Sequence, residues 1–307
     1  MKHFYFIAVI TFFSLFLGAA EAAPDPARLK LASDRALVLE KGVSSPLYEK
    51  KADSVSSIAS LTKLMTAMVV LDSGLSLDEA LDVDGDDLDD LKGTHSRLRI
   101  GYRLTRGEML RLALMSSENR AAATLARHYP GGCEAFVAEM NAKAYQLGLK
   151  QTSFVDSTGL SPENISTARD LAALVQAAAR YPLIREYTTT PQYSVESEPS
   201  GRVLEYRNSN RLVRTDNDWD ILLQKTGYIN EAGRCLVMLV KIAQKEFVIV
   251  LLDSAGKYTR LGDAKRIKSW LETGKSGSPP KNKSNIAEGK KSSAALTKKT
   301  AKKTAKK

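Results

Sequence analysis

Apolar residues fall into runs of distinct period along the chain. Phe4 to Leu17 are almost continuously apolar, preceded by Met1-Lys2-His3 and followed by Ala20-Glu21-Ala22. A basic start, a short apolar stretch and an A-x-A site read as a secretory signal over residues 1–22, with the mature chain beginning near Ala23 outside the cytoplasm. The stretch is short for a full membrane span. ALVLEKGVSSPLYEKKADS (36–54) then predicts two strands around a Gly/Ser/Pro turn. IASLTKLMTAMVVLDSG (58–74) is apolar on every side and closed by Gly74, which predicts a buried helix.

Helical patterns follow at Arg106–Met115, from Ala121, at Glu134–Leu147 and at Ala168–Ala179, with the polar loop TSFVDSTGLSPEN (152–164) before the last. Short helical runs and polar loops are expected on to about residue 215. From Asp220 the pattern becomes strand-like in ILLQKTGYI, and then in two apolar strands around a turn near Gln244-Lys245. An amphipathic helix, LGDAKRIKSWLE, ends near Gly274. Strands at both ends with helices between them predict an α+β fold, one sheet flanked by helices with an inserted helical subdomain.

Charge changes this picture only at the C-terminus. Of the formal +10 on 307 residues, all is carried by residues 275–307, which hold eleven lysines and one acid, Glu288; the remainder has 34 basic and 34 acidic residues. The tail has almost no large apolar residue and is expected to be disordered. Behind a secretory signal, a lysine-rich tail faces anionic envelope polymers or lipid headgroups, or merely solvates the chain; no nucleic acid is expected as a partner.

Cys133 and Cys235 read as separate unpaired thiols, and His3, His95 and His128 lack ligand spacing, so neither metal nor other cofactor is expected. In LDVDGDDLDDLKG (81–93) the glycine is misplaced and the closing Glu missing for a calcium loop, which leaves a solvated acidic loop.

Three polar positions remain that carry chemistry. Ser60 and Lys63 are three apart at the head of the buried helix, where hydroxyl and amine meet on one face and the helix N-terminus favours developing negative charge. Ser116-Ser117-Glu118-Asn119 breaks two helical patterns; such a break caps helices, or points Ser117 and Asn119 into a cleft. Lys225-Thr226-Gly227 lies on a predicted strand.

In this order, Ser60-x-x-Lys63, Ser117-x-Asn119 and Lys225-Thr226-Gly227 resemble the motif set of active-site serine penicillin-binding proteins and serine β-lactamases. The runs IASLTKLMTAMVVLD, RLTRGEMLRLALMSSENRAA and DSTGLSPEN are similar to low-molecular-mass penicillin-binding proteins of the serine D-Ala-D-Ala peptidase family, most of all their D-alanyl-D-alanine endopeptidase branch. The likeness spans about residues 30–272. It implies a DD-peptidase/serine β-lactamase-like fold with a mainly antiparallel sheet, and a penicillin-binding DD-peptidase domain over 23–274.

In such an enzyme Ser60 attacks a peptide carbonyl and Lys63 is its base. An ordinary lysine is only roughly 0.04% neutral at pH 7, so a drop of about three units, roughly 4 kcal/mol, is needed. Burial and the charge of Lys225 are the expected sources. Ser117 relays the proton to the leaving amine, supported by Lys225. The resemblance implies that Asn119 holds the substrate backbone and that the Thr226 hydroxyl binds its carboxylate. Gly227 is expected to let the substrate lie close to the strand, and the backbone N–H groups of Ser60 and Tyr228 to form the oxyanion hole.

The resemblance also implies peptidoglycan stem peptides and cross-links as substrates, a periplasmic location, and β-lactams as covalent inhibitors. Cleavage of D-Ala–diaminopimelate cross-links is the leading expectation and D-Ala-D-Ala carboxypeptidase action the alternative; a non-catalytic sensor is disfavoured by the complete motif set. Lys257 and Arg260 are both candidates to assist the carboxylate. No E-x-x-x-N loop is present, since Glu163 is followed by Asn164 and position 167 is Thr, so penicillin is expected to leave slowly.

Overall fold

The computed structural model describes residues 24–215 and 218–277. The expected signal and nearly all of the lysine-rich tail lie outside these residues. β1 (Arg35–Glu40) and β2 (Tyr48–Lys50) form the expected hairpin. After the two-residue strand β3 (Ser56–Ser57), a 3₁₀ turn over Ala59–Thr62 runs directly into α1 (Lys63–Asp72). Residues 63–70 are all buried, as a helix apolar on every side requires.

A small ribbon of β4 (Ala80–Asp82) and β5 (Arg103–Thr105) leads into α2 (Arg106–Met115), whose start is fixed by a capping box between Thr105 and Glu108. Next come α3 (Asn119–Arg127) and α4 (Gly132–Gln146), then β6 (Ile165–Ser166) paired with β3, α5 (Ala168–Ala178) and α6 (Pro182–Thr189).

Two expectations fail in this region. Where short helical runs and polar loops were expected, β7 (Gln192–Ser197) and β8 (Arg202–Arg207) form an antiparallel hairpin. Only Val195, Ser197, Leu204 and Tyr206 are buried along it, so its alternation carries few apolar residues. The acidic loop is not wholly solvated either. The Asp87 side chain is 1% exposed and accepts from Arg127 and Thr124, because the paired guanidinium offsets its burial.

After α7 (Arg211–Thr215), three long strands complete the sheet: β9 (Asp220–Ile229), β10 (Gly233–Ile242) and β11 (Lys245–Ser254). The sheet order is β2-β1-β11-β10-β9, antiparallel throughout, so the N-terminal hairpin pairs with the last strand and β9 is left at an edge. β10 is apolar on both faces because both are covered. Cys235, Val237 and Leu239 join the core shared with α1, α2 and α5; Leu236, Met238 and Val240 join Ile267 and Trp270 of α8 (Thr259–Thr273).

Candidate active site

Ser60 lies in the 3₁₀ turn and Lys63 at the first position of α1, so the pair straddles the junction rather than sitting within one α-helix. In a 3₁₀ turn positions i and i+3 eclipse, which brings Lys63 Nζ to 3.0 Å from Ser60 Oγ. Ala59 holds a left-handed backbone (φ 48°), a strained conformation for a residue with a Cβ, and Ser117 does the same (φ 63°). The strain falls beside one candidate hydroxyl and at the other.

Lys63 is fully buried. Its Nζ donates to Asn119 Oδ1 at 2.7 Å and to the Thr158 carbonyl at 2.6 Å. With two N–H directions taken by these fixed acceptors, the third tetrahedral direction points at Ser60 Oγ. In the neutral amine that direction can hold the lone pair, which is what a base for Ser60 needs. Burial pushes the Lys63 amine down to about 7, against the opposing pull of Asp156, Glu118 and Asp89.

Lys225 is a second buried amine at the site, and the repulsion between two such cations acts on both. Lys225 is itself fully buried and held well below the usual lysine range, first by burial, then by the charges of Lys63 and Arg260. Its Nζ donates to Ser117 Oγ at 2.7 Å and to the Thr226 carbonyl at 2.9 Å. The motifs therefore assemble as two hydrogen-bonded sets, Ser60–Lys63–Asn119 and Lys225–Ser117. A cleft of about 250 Å³ opens at Ser117, Glu118 and Asn119, walled by His95, Arg97 and Tyr206.

Gly227 has a packing role that the strand's own sequence does not reveal. A Cβ there would sit 3.0 Å from the Ile58 carbonyl oxygen and 3.3 Å from Ser60 N, so the strand is glycine where it packs against the Ser60 turn. Gly159 approaches the same turn, and a Cβ there would lie 2.0 Å from the Ala59 carbonyl oxygen. The β9 edge thus runs beside the backbone of Ser60. Tyr228, next along it, turns its ring to solvent, stacked under Arg234 and bonded to Asn230.

The Thr226 hydroxyl donates to Ser209 Oγ at 2.7 Å and lines a second cavity, of about 280 Å³, with Lys257 and Arg260. The structure distinguishes these two cations. Nε and Nη1 of Arg260 are buried without a hydrogen-bond partner, whereas Lys257 is exposed over the Tyr258 ring.

Sequence reasoning did not single out Thr158, Gly159 or Asp156. Asp156 accepts from Thr158 N and Oγ1, Gly159 N and Ser161 N, and so shapes the loop that presents the Thr158 carbonyl to Lys63. The run DSTGL was the available signal, because an Asp followed by Ser, Thr and Gly marks a side-chain-stabilised turn. Asn164 is buried and accepts from Val155 N and Asp156 N, while Glu163 is exposed. Cys133 and Cys235 are both free thiols, as expected.

The family model for D-alanyl-D-alanine carboxypeptidases matches residues 19–256. The chain is 48% identical to the D-alanyl-D-alanine endopeptidase of Pseudomonas aeruginosa over 272 residues, covering 87% of each chain. It is 49% identical to the D-alanyl-D-alanine endopeptidase of Escherichia coli over 257 residues, 84% of this chain and 82% of that one. Among solved structures, the Streptomyces K15 DD-transpeptidase superposes with a TM-score of 0.71 at 27% identity, over 79% of this chain and 98% of the other. Penicillin-binding protein D2 of Listeria monocytogenes, in its ampicillin-bound form, gives 0.66 at 30% identity over 76% and 95%. The serine-on-lysine geometry thus stands in a chain that belongs to the D-alanyl-D-alanine carboxypeptidase family of serine peptidases.

Proposed function

We propose that the protein is a serine DD-endopeptidase that opens D-Ala–diaminopimelate cross-links of peptidoglycan during wall remodelling. The observation that carries the chemistry is the buried Lys63 amine, fixed by Asn119 and Thr158 and aimed at Ser60 Oγ. Extensive identity with two endopeptidases supports the cross-link as the bond attacked.

Ser60 Oγ attacks the D-Ala carbonyl carbon and Lys63 takes its proton. The oxyanion sits between the N–H groups of Ser60 and Tyr228, the second offered by an edge strand. Ser117, held by Lys225, relays the proton taken from Ser60 to the leaving amine, the C–N bond breaks, and an ester on Ser60 remains for water to hydrolyse. Asn119 orients the substrate backbone, and Gly227 keeps β9 close enough to the Ser60 turn to share the oxyanion.

The diaminopimelate carboxylate beside the scissile bond is received by the Thr226 hydroxyl and by Arg260, whose buried unpartnered N–H groups favour it over Lys257. The same clamp fits a terminal D-Ala, so D-alanyl-D-alanine carboxypeptidase action is the second reading. Benzylpenicillin acylates Ser60 and leaves slowly, since Glu163 faces solvent and Asn164 is occupied in its own loop. Residues 1–22 direct export to the periplasm, 23–274 form the peptidase unit, and 275–307 contact anionic envelope surfaces. Among the described residues no helix is long and apolar enough to cross a membrane.

Mass spectrometry of purified cross-linked muropeptides digested by the wild type and by Ser60→Ala tests this. Dimers are expected to become monomers with the wild type only; loss of terminal D-Ala with dimers untouched would establish the carboxypeptidase reading instead.

A further inference from the structure

The cavity that shares Thr226 with the catalytic strand is ringed by Arg211, Arg214, Arg234, Lys257 and Arg260. None of the five makes a salt bridge or donates a side-chain hydrogen bond among the described residues; Arg234 lies over the Tyr228 ring, Lys257 over the Tyr258 ring, and Arg260 keeps two buried N–H groups unmet. Elsewhere many surface cations are paired, as in Lys41–Glu246, Lys51–Asp34 and Arg169–Asp53. In a body with equal numbers of acids and bases, five unpaired cations around one cavity form a local excess of positive charge that focuses on an anion. Arg211 and Arg214 are three apart on α7 and so share a face.

One carboxylate is satisfied by Thr226 and Arg260, which leaves the other cations without a task if the leaving group is free D-alanine. The leaving group of the cross-link reaction is instead a whole stem peptide, with carboxylates beyond the one next to the scissile bond. We propose that Arg211, Arg214, Arg234 and Lys257 form a subsite for this polyanionic leaving strand and thereby select cross-linked over terminal substrate. The proposal rests on the endopeptidase reading above. Arg234 and Lys257 line the cavity together with Arg260, and Arg211 and Arg214 line it from α7. Both of these arginines are exposed, so replacing them leaves the core intact.

The test compares the wild type, Arg211→Gln/Arg214→Gln and Arg211→Lys/Arg214→Lys on purified muropeptide dimers and on benzylpenicillin, which has a single carboxylate. For the Gln pair, kcat/KM on dimers is expected to fall about fivefold through KM at low salt, as two partly solvated charge contacts predict, with the difference shrinking at high salt. Penicillin acylation should change less than twofold, and the Lys pair should keep most of the dimer activity. Unchanged dimer cleavage in the Gln pair, or an equal loss against penicillin, would overturn the subsite while leaving the endopeptidase reading in place. Dimers left intact by the wild type would overturn both.

Discussion

The carbonyl oxygen of Thr158 accepts a 2.6 Å hydrogen bond from Lys63 Nζ. This contact ties the loop shaped by Asp156 to the head of α1. It turns a flexible four-carbon amine into a group of fixed direction, and direction is what separates a base from a buried cation.

The protonation of Lys63 sets a pH dependence. Below its pKa of about 7 all three N–H groups donate and no lone pair faces Ser60; above it the amine is free to accept. The second-order rate of benzylpenicillin acylation, followed by stopped-flow fluorescence, is expected to rise with pH and level off, with a midpoint near 7. A flat profile between pH 5 and 9 would contradict this. Linkage adds a second signature. An unfolded lysine keeps its proton up to about 10.5, so Lys63's contribution to stability is complete above that value and declines as pH falls toward about 7.

Ser117→Ala removes the acceptor of the Lys225 amine and the proposed proton path to the leaving group. Peptide hydrolysis should lose about 100-fold in kcat with little change in KM, the size of a general-acid contribution. A loss confined to KM would mean that Ser117 only binds substrate.

The two glycines against the Ser60 turn should respond unequally. Gly159→Ala places a Cβ 2.0 Å from the Ala59 carbonyl oxygen at a left-handed position (φ 80°), and is expected to destabilise the fold by about 2–4 kcal/mol. Gly227→Ala meets its nearest atom at 3.0 Å, so the strand yields slightly. This variant should fold with a nearly unchanged Tm while losing acylation rate, because the shift displaces Ser60 N from Tyr228. Denaturation and penicillin labelling of both variants check the order.

Asp87 is a stability prediction away from the chemistry. Its carboxylate is buried and accepts from Arg127 and Thr124, and Asp87→Ala leaves the Thr124 hydroxyl without its acceptor and Arg127 with Asp82 alone. A loss of about 3 kcal/mol is expected in urea denaturation, with acylation of the folded fraction unchanged.

Much of the site was legible because its residues stand in short, ordered motifs on strongly patterned elements. Ser60, Lys63, Ser117, Asn119 and Lys225 all fall within hydrogen-bond distance of a motif partner. The long strands and the buried helix were legible for the same reason, since continuous apolar runs leave few alternatives. What escaped was set by partners far away in the chain. β7 and β8 are mostly polar strands whose pairing, not their composition, makes them a hairpin. Asp87 looks solvated until Arg127 is placed beside it. The contact of Gly227 with Ile58 is likewise invisible to any local reading of the strand.

Gly159, from the loop between α4 and β6, and Gly227 of β9 both pack against the Ser60 turn. The strained backbone beside Ser60 is thus held by segments far apart in the chain. Covalent labelling by a fluorescent penicillin therefore reports more than the presence of this chain. It counts molecules in which the helical body and the sheet have already come together, and serves as a direct assay of completed folding.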